Sequence, residues 1–484
     1  MFAEIKKLVR HSSIYSLGTL SGKIISFLLL PVYTRYLTAR EYGILAIINV
    51  FVSIFQIFVN LGTQSSVIKV FFEVDKERER KEVISTAFYF LFMVAFISVC
   101  GFWFFKRNLA SFLLDNPKLA YLFTFALLAS FFYVTKTVPL AIFRAQEKAL
   151  RYSIFAFLTL IFGILFNIIF VIILRENVKG VLKSNLISQF IVFLLILIPF
   201  YKDLVLKFNK KYLIRMFTFG LPLVPSGLAM WILTLLDRYF LKVYTTMDIV
   251  GIYSIGYRIA TIMSMLVIVP FSMAWSPLML RWYKEEKAQL LYANVYKYFS
   301  IAGFFVALMI SLFSKEVIHI MTTPPFYGAY TIVYLIVLSY LFHGFYMIFT
   351  AGCTFVRKTF FFAIATGTAA LSNTALNILL IPHFQMMGAA VATVISYLLM
   401  IILMYIFSEK YYHIPFNFAN TIKIGIITTM LYIAGVFVTN NIVVSIPVKF
   451  LLILCYLPLL YIFKVFTEKE IDILKRMIKK RIQK

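Results

Sequence analysis

The sequence predicts an all-α membrane protein of about 14 transmembrane helices. Two pseudo-symmetric six-helix lobes surround a central cavity, and two extra helices follow at the C-terminal end. Three observations carry that expectation. Apolar stretches of about 20 residues, the length a helix needs to cross hydrocarbon, recur along the whole chain. Hydrophobic residues make up 62% of the 484 and charged residues only 14%, where a soluble domain carries about 25% charged residues. Motifs of the first half also return in order in the second.

The spans fall at 13–34, 42–66, 84–105, 120–141, 153–174, 181–201, 216–242, 248–273, 299–320, 329–351, 360–381, 387–407, 422–440 and 446–466. Each is about twice the length of a tilted barrel strand, and none alternates in and out, so they are helices. The first twelve residues are basic, but no small-residue cleavage site follows the first apolar run. No cleavable leader is expected. Cys100, Cys353 and Cys455 lie in apolar runs without disulfide or metal spacing.

A net charge of +27 would suggest nucleic acid in a soluble protein. Here about 32 Lys and Arg fall on one set of alternating loops, about 12 on the other and about 3 mid-membrane. That asymmetry places both termini in the cytoplasm of a cell (cytoplasmic) membrane and removes nucleic acid as a partner. The longest outer loop, around Lys106 to Lys118, leaves no room for an extramembrane domain. This disfavours a membrane glycosyltransferase or polymerase. There is no Gly-rich phosphate loop, no paired carboxylates in a common loop and no His/Cys cluster. The expectation is a transporter rather than an enzyme, with no cofactor beyond a coupling ion, Na⁺ or H⁺.

The internal repeat sets the domain plan. Asn167-Ile-Ile-Phe leads to Gly180 and Ser188, and Asn377-Ile-Leu-Leu leads to Gly388 and Ser396. Thr34-Arg-Tyr-Leu near Tyr42-Gly43-Ile44 is echoed by Asp237-Arg-Tyr-Phe near Val250-Gly251-Ile252-Tyr253. An even number of helices per copy gives both copies one orientation. The plan is an N-lobe over 1–201, a cytoplasmic linker over 202–215, a C-lobe over 216–407 and helices 13 and 14 over 408–466. An amphipathic cytoplasmic tail over 467–484 completes it.

On Ser16-Leu-Gly-Thr, Tyr36-Leu-Thr-Ala-Arg-Glu-Tyr-Gly43, Leu221-Pro222, Asp237-Arg238 and Gly251-Ile-Tyr253, the whole chain resembles the polysaccharide-repeat-unit (Wzx-type) flippases. These belong to the multidrug/oligosaccharidyl-lipid/polysaccharide (MOP) exporter superfamily, whose relatives include the multidrug and toxin extrusion (MATE) proteins and the lipid II flippase. The resemblance implies a MATE-like fold and a flippase in O-antigen or capsule biosynthesis. It would carry an undecaprenyl-diphosphate-linked oligosaccharide from the inner to the outer leaflet by alternating access. Its partners would be that lipid-linked oligosaccharide, membrane lipids and the polysaccharide polymerase machinery. The alternatives are a MATE-type exporter of cationic drugs and a lipid II flippase.

Charges in helix centres cost about 2.5–3.5 kcal/mol each on insertion scales, so each needs a reason. Lys23 and Arg258 fall near the middle of spans 1 and 8, Lys136 in the inner half of span 4, and Arg35 and Arg238 at the outer ends of spans 1 and 7. Lys23, Arg258, Lys136, Arg35 and Arg238 are the candidate substrate-binding cations. Arg and Lys donors suit the oxygens of a diphosphate. For Lys136, Arg35 and Arg238, snorkelling to headgroups is the plainer reading.

Asp237 is the clearest carboxylate in an apolar span. Asn373 and Asn377 are one turn apart on span 11, and Thr393 lies at similar depth on span 12. Together they form a candidate ion-coupling site for Na⁺ or a proton. The resemblance adds the backbone carbonyl of Ala389. The first-half equivalents, Thr34, Gly163, Asn167 and Asn185, include no carboxylate. The competing reading is a structural ion pair of Asp237 with Arg238 or Arg258.

Overall fold

In lipid every backbone polar group must be satisfied within its own segment, which leaves helices as the way for these apolar runs to cross. The computed structural model describes residues 27–283, 285–438, 442–466 and 470. Among them every regular element is helical. The end of the first helix, α1, spans Leu30–Tyr36. It is followed by α2 (Ala39–Phe72), α3 (Glu77–Phe104), α4 (Pro117–Ala145), α5 (Ala149–Ile173) and α6 (Asn177–Asp203). Next come α7 (Lys210–Tyr244), α8 (Met247–Trp282), α9 (Ala288–Leu312) and α10 (Pro324–Phe355). One 50-residue stretch, Phe360–Glu409, breaks at Gln385, whose φ of 47° leaves the helical region. The break makes two helices of it, α11 (360–384) and α12 (386–409), and α13 (Phe418–Val436) and α14 (Val444–Ile462) complete the set.

Every span expected from hydropathy after the first therefore has its helix, and most of the first, 13–34, lies outside the described residues. The boundaries differ where polar first turns escape a hydropathy reading. The helix expected to begin at 216 starts at Lys210, where the Asn209 side chain accepts a hydrogen bond from the Lys211 amide at 3.1 Å. The segment before it is tied down by side chains of α3. Ser85 accepts from the Val205 amide at 2.8 Å and Thr86 from the Asn209 amide at 3.0 Å.

The chain divides into two compact units. The first comprises Met1–Ile259, Met321–Ile332 and Phe362–Met400. In it α6 packs on α4 and α5, and α3 on α4. The core runs through Val83, Leu91, Leu127, Phe143, Ile196 and Phe200. The second comprises Ala260–Ile320, Val333–Phe361 and Ile401–Lys484, where α9 packs on α10 and α13, and α13 on α14. A buried ion pair joins Lys449 of α14 to Glu316 at 2.5 Å.

Within the first unit α2 and α8 meet in reciprocal backbone contact. A Cβ on Gly43 would lie 1.9 Å from the Met247 carbonyl oxygen, and one on Gly251 would lie 2.1 Å from the Ala39 oxygen. Each glycine therefore meets the carbonyl four residues before its counterpart, as a two-fold relation between α2 and α8 requires. Gly180 and Gly388 instead each face a carbonyl of the segment just before them, Phe170 and Leu380 respectively.

Candidate functional site

A helix that reaches proline loses the donor for the carbonyl four residues back. Pro139 does this to Thr135, and α4 changes direction at Lys136, between the helical stretches Ala120–Thr135 and Thr137–Ala145. The kink lies at the wall of a cavity of about 550 Å³ in the first unit. Stripes at helical spacing line it: Lys136, Leu140 and Arg144 from α4, Tyr152, Ala156, Thr159, Gly163 and Asn167 from α5, and Leu182, Asn185 and Gln189 from α6. Tyr33, Asn49, Gln64 and Arg258 come from α1, α2 and α8.

Among the described residues the lining contains the cations Lys136, Arg144 and Arg258 and no Asp or Glu. Lys136 is 4% exposed, and its ammonium donates to the Gln189 side-chain oxygen and to Thr159 Oγ1 at 3.4 Å. Both acceptors are neutral, so its charge is solvated by dipoles alone. The Arg144 guanidinium lies 5.6 Å from the Tyr152 ring centroid, with its Nε buried and without a hydrogen-bond partner. Arg258 sits over two aromatic faces, 5.4 Å from Tyr42 and 5.9 Å from Tyr33. Tyr33 in turn donates to Asn167 Oδ1 at 2.9 Å. A low-dielectric chamber whose fixed charges share one sign concentrates the opposite ion. Guanidinium and ammonium donors together suit phosphate oxygens.

The structure thus brings Arg258 and Lys136 to one chamber and adds Arg144, which the sequence reading passed over. Lys23 lies outside the described residues. Arg35 is exposed and does not line the chamber. Arg238 also stays out of the lining and is engaged by Asp237.

Asp237 is 1% exposed. Its Oδ1 accepts from the Arg238 amide at 2.8 Å and from Arg238 Nη1 at 3.0 Å, and its Oδ2 accepts from the Tyr253 hydroxyl. Arg238 also donates to the Thr234 carbonyl at 2.7 Å and covers the Tyr257 ring at 4.4 Å. The Tyr253 hydroxyl also lies beside Thr393 of α12. Thr393 itself donates to the Ala389 carbonyl at 2.9 Å. Asn377 donates to Asn373 Oδ1 at 3.0 Å. Asn373 Nδ2 and Asn377 Oδ1 are buried without partners, so neither amide bonds to Asp237.

A carboxylate offers about four lone-pair sites. Two on Oδ1 and one on Oδ2 are filled, and a guanidinium already balances the charge. Among the described residues no group of three or more His, Cys, Asp or Glu forms a metal cluster.

Comparison with known proteins places this geometry in a lineage. A Haemophilus influenzae protein named for the Lsg locus is 27% identical over 267 residues, covering 54% of this chain and 63% of that relative. The chain thus matches less than two thirds of that relative's length. The solved lipid II flippase MurJ, in an inward closed conformation, superposes with a TM-score of 0.76 at 16% identity, over 95% of this chain and 100% of MurJ. An inward-facing MATE family multidrug resistance transporter of the MOP superfamily gives a TM-score of 0.66 at 15% identity, over 82% of this chain and 98% of that one. At such identities these two likenesses establish the fold, which is MATE-like, and both neighbours are transporters rather than catalysts. A family model described as polysaccharide biosynthesis protein matches residues 8–282, more than half of the chain. The chain therefore belongs to the polysaccharide biosynthesis protein family.

Proposed function

We propose that this protein is a flippase that moves an undecaprenyl-diphosphate-linked oligosaccharide, a polysaccharide repeat unit, from the inner to the outer leaflet of the cytoplasmic membrane. The observation that carries the reading is the chamber lined by Lys136, Arg144 and Arg258 with no carboxylate among its described lining residues. Cations buried in an apolar protein are costly, and a diphosphate is the ligand that repays them with charge-assisted hydrogen bonds. Lys23, near the middle of the first span, belongs to the same proposed set. Both termini lie in the cytoplasm in this scheme, and the lobes over 1–201 and 216–407 alternate access around the bound headgroup.

Coupling to an ion gradient would act at Asp237, with Asn373, Asn377, Thr393 and the Ala389 carbonyl nearby in the scheme. There the carboxylate exchanges Arg238 for the coupling cation. A tenfold bias between two states needs only about 1.4 kcal/mol of differential affinity.

The chamber's chemistry disfavours export of cationic drugs, which calls for carboxylates or cages free of fixed cations. A lipid II flippase would share the diphosphate and differ in the attached glycan. Export of the polysaccharide in cells carrying Lys23→Glu or Arg258→Glu tests the proposal. Export should fail while the protein stays at normal level in the membrane, and undiminished export by both variants would overturn it.

A further inference from the structure

A second chamber, of about 480 Å³, adjoins the cationic one and shares Gln64, Tyr133 and Thr137 with it. Its chemistry is different. None of its lining residues carries a charge. Gln56 and Asn60 of α2 and Trp231 and Thr234 of α7 supply an amide pair, an indole and a hydroxyl. The amides are loosely held. Gln56 Nε2 lies 3.5 Å from Ser130 Oγ, and Asn60 Nδ2 lies 3.4 Å from Thr137 Oγ1. Both are at or beyond the long end of N–H···O hydrogen bonds, so little is lost when a ligand hydroxyl replaces them. The indole Nε1 of Trp231 donates to the Val50 carbonyl over a similarly long 3.3 Å.

Two backbone features keep this space open. A Cβ on Gly227 would meet only Ile57 Cγ2, at 3.9 Å, so the missing side chain contributes to the volume. α7 also widens into a π-helical turn over Ile232–Leu236, which brings Thr234 and Leu235 into the lining. Such turns interrupt the regular helix and recur at functional sites. The volume lies within the roughly 300–1,000 Å³ of small-molecule sites.

We infer that this chamber takes the uncharged sugars next to the diphosphate, while the cationic chamber holds the diphosphate itself. The inference rests on the flippase reading given above and specifies its substrate class. Carboxamides and hydroxyls both donate and accept, as sugar hydroxyls do. An indole offers a flat apolar face to the C–H face of a pyranose. A uronate in the same place would lose its hydration and find no cation in the lining, which is costly. The flippase therefore selects neutral sugars at the positions nearest the lipid and leaves the distal sugars less constrained.

Binding to the purified full-length protein tests this with three probes: a polyprenyl diphosphate, the same lipid carrying a neutral disaccharide, and the same lipid carrying a disaccharide with a uronic acid. Wild-type protein is expected to bind the neutral glycolipid about tenfold more tightly than the bare diphosphate, with no such gain for the uronic acid form. Trp231→Ala and Gln56→Ala should each erase that gain and leave the affinity for the bare diphosphate unchanged. Trp231→Phe, which keeps an aromatic face, should retain most of it. Gln56→Lys should turn the preference toward the uronic acid form. A neutral-sugar gain that survives both alanine variants, or equal binding of the two glycolipids by wild type, overturns the inference. Arg258→Gln serves as the separate arm. If it leaves binding of all three probes unchanged, the flippase reading itself fails.

Discussion

Replacing Gly251 with alanine places a methyl carbon 2.1 Å from the Ala39 carbonyl oxygen and 3.0 Å from its carbon. Ordinary contact begins near 3.4 Å, so α2 and α8 must part by more than 1 Å for the side chain to fit. Overpacking of this kind costs about 1–3 kcal/mol. Gly43→Ala meets the Met247 carbonyl at 1.9 Å and should cost a similar amount. One separation relieves both clashes, so the double variant should lose clearly less than the sum of the two. Gly101 and Gly367 are the controls. A Cβ on either has nothing within 4 Å, and alanine there should gain about 0.5–1 kcal/mol through helix propensity. Thermal unfolding of the detergent-solubilised protein, followed by tryptophan fluorescence, reads all five variants. If Gly251→Ala proves as stable as Gly101→Ala, α2 and α8 do not meet as described. Strict additivity of the pair would refute the reciprocal contact.

Asp237→Asn should cost about 3–5 kcal/mol by stranding the Arg238 guanidinium, and Asp237→Leu combined with Arg238→Met should recover much of it in the same assay. Loss of any Na⁺ or pH dependence of transport in the double variant would mark Asp237 as the coupling residue, and unchanged dependence would leave it structural. In the second unit, Lys449→Met should strand Glu316, which is 6% exposed and accepts from Lys449 and Ser445. Adding Glu316→Gln should restore stability measured by the same melt, because the neutral pair no longer leaves a buried charge.

Hydropathy made the helices legible because lipid allows apolar segments so few backbone solutions. Boundaries were less legible where a polar turn begins a helix, as at Lys210, whereas the break at Gln385 falls in the gap expected between 381 and 387. The site was legible in part. Lys136 and Arg258 stand out as charges in apolar runs, and both line the chamber. Arg144 did not stand out, since near the end of α4 it reads as an ordinary loop charge. The signal that would have found it is periodic: Lys136, Leu140 and Arg144 share one helical face, as do Tyr152, Ala156, Thr159, Gly163 and Asn167 on the next helix. The partner of Asp237, Arg238, is one of the two arginines the sequence offered for that ion pair. Neighbours in sequence point about 100° apart on a helix, and only the length of the arginine side chain lets Arg238 fold back onto the adjacent carboxylate. The neutral chamber left no mark in composition, because glutamine, asparagine and tryptophan are unremarkable one at a time.

Titration of a short-chain polyprenyl diphosphate into the purified protein tests the central claim most directly. Wild type should bind it and lose affinity as salt rises, while Lys136→Met, Arg144→Met and Arg258→Met combined should abolish binding in a protein that still melts cooperatively. Undiminished binding by the triple variant, or a wild type that takes up a lipophilic cation instead, would contradict the account.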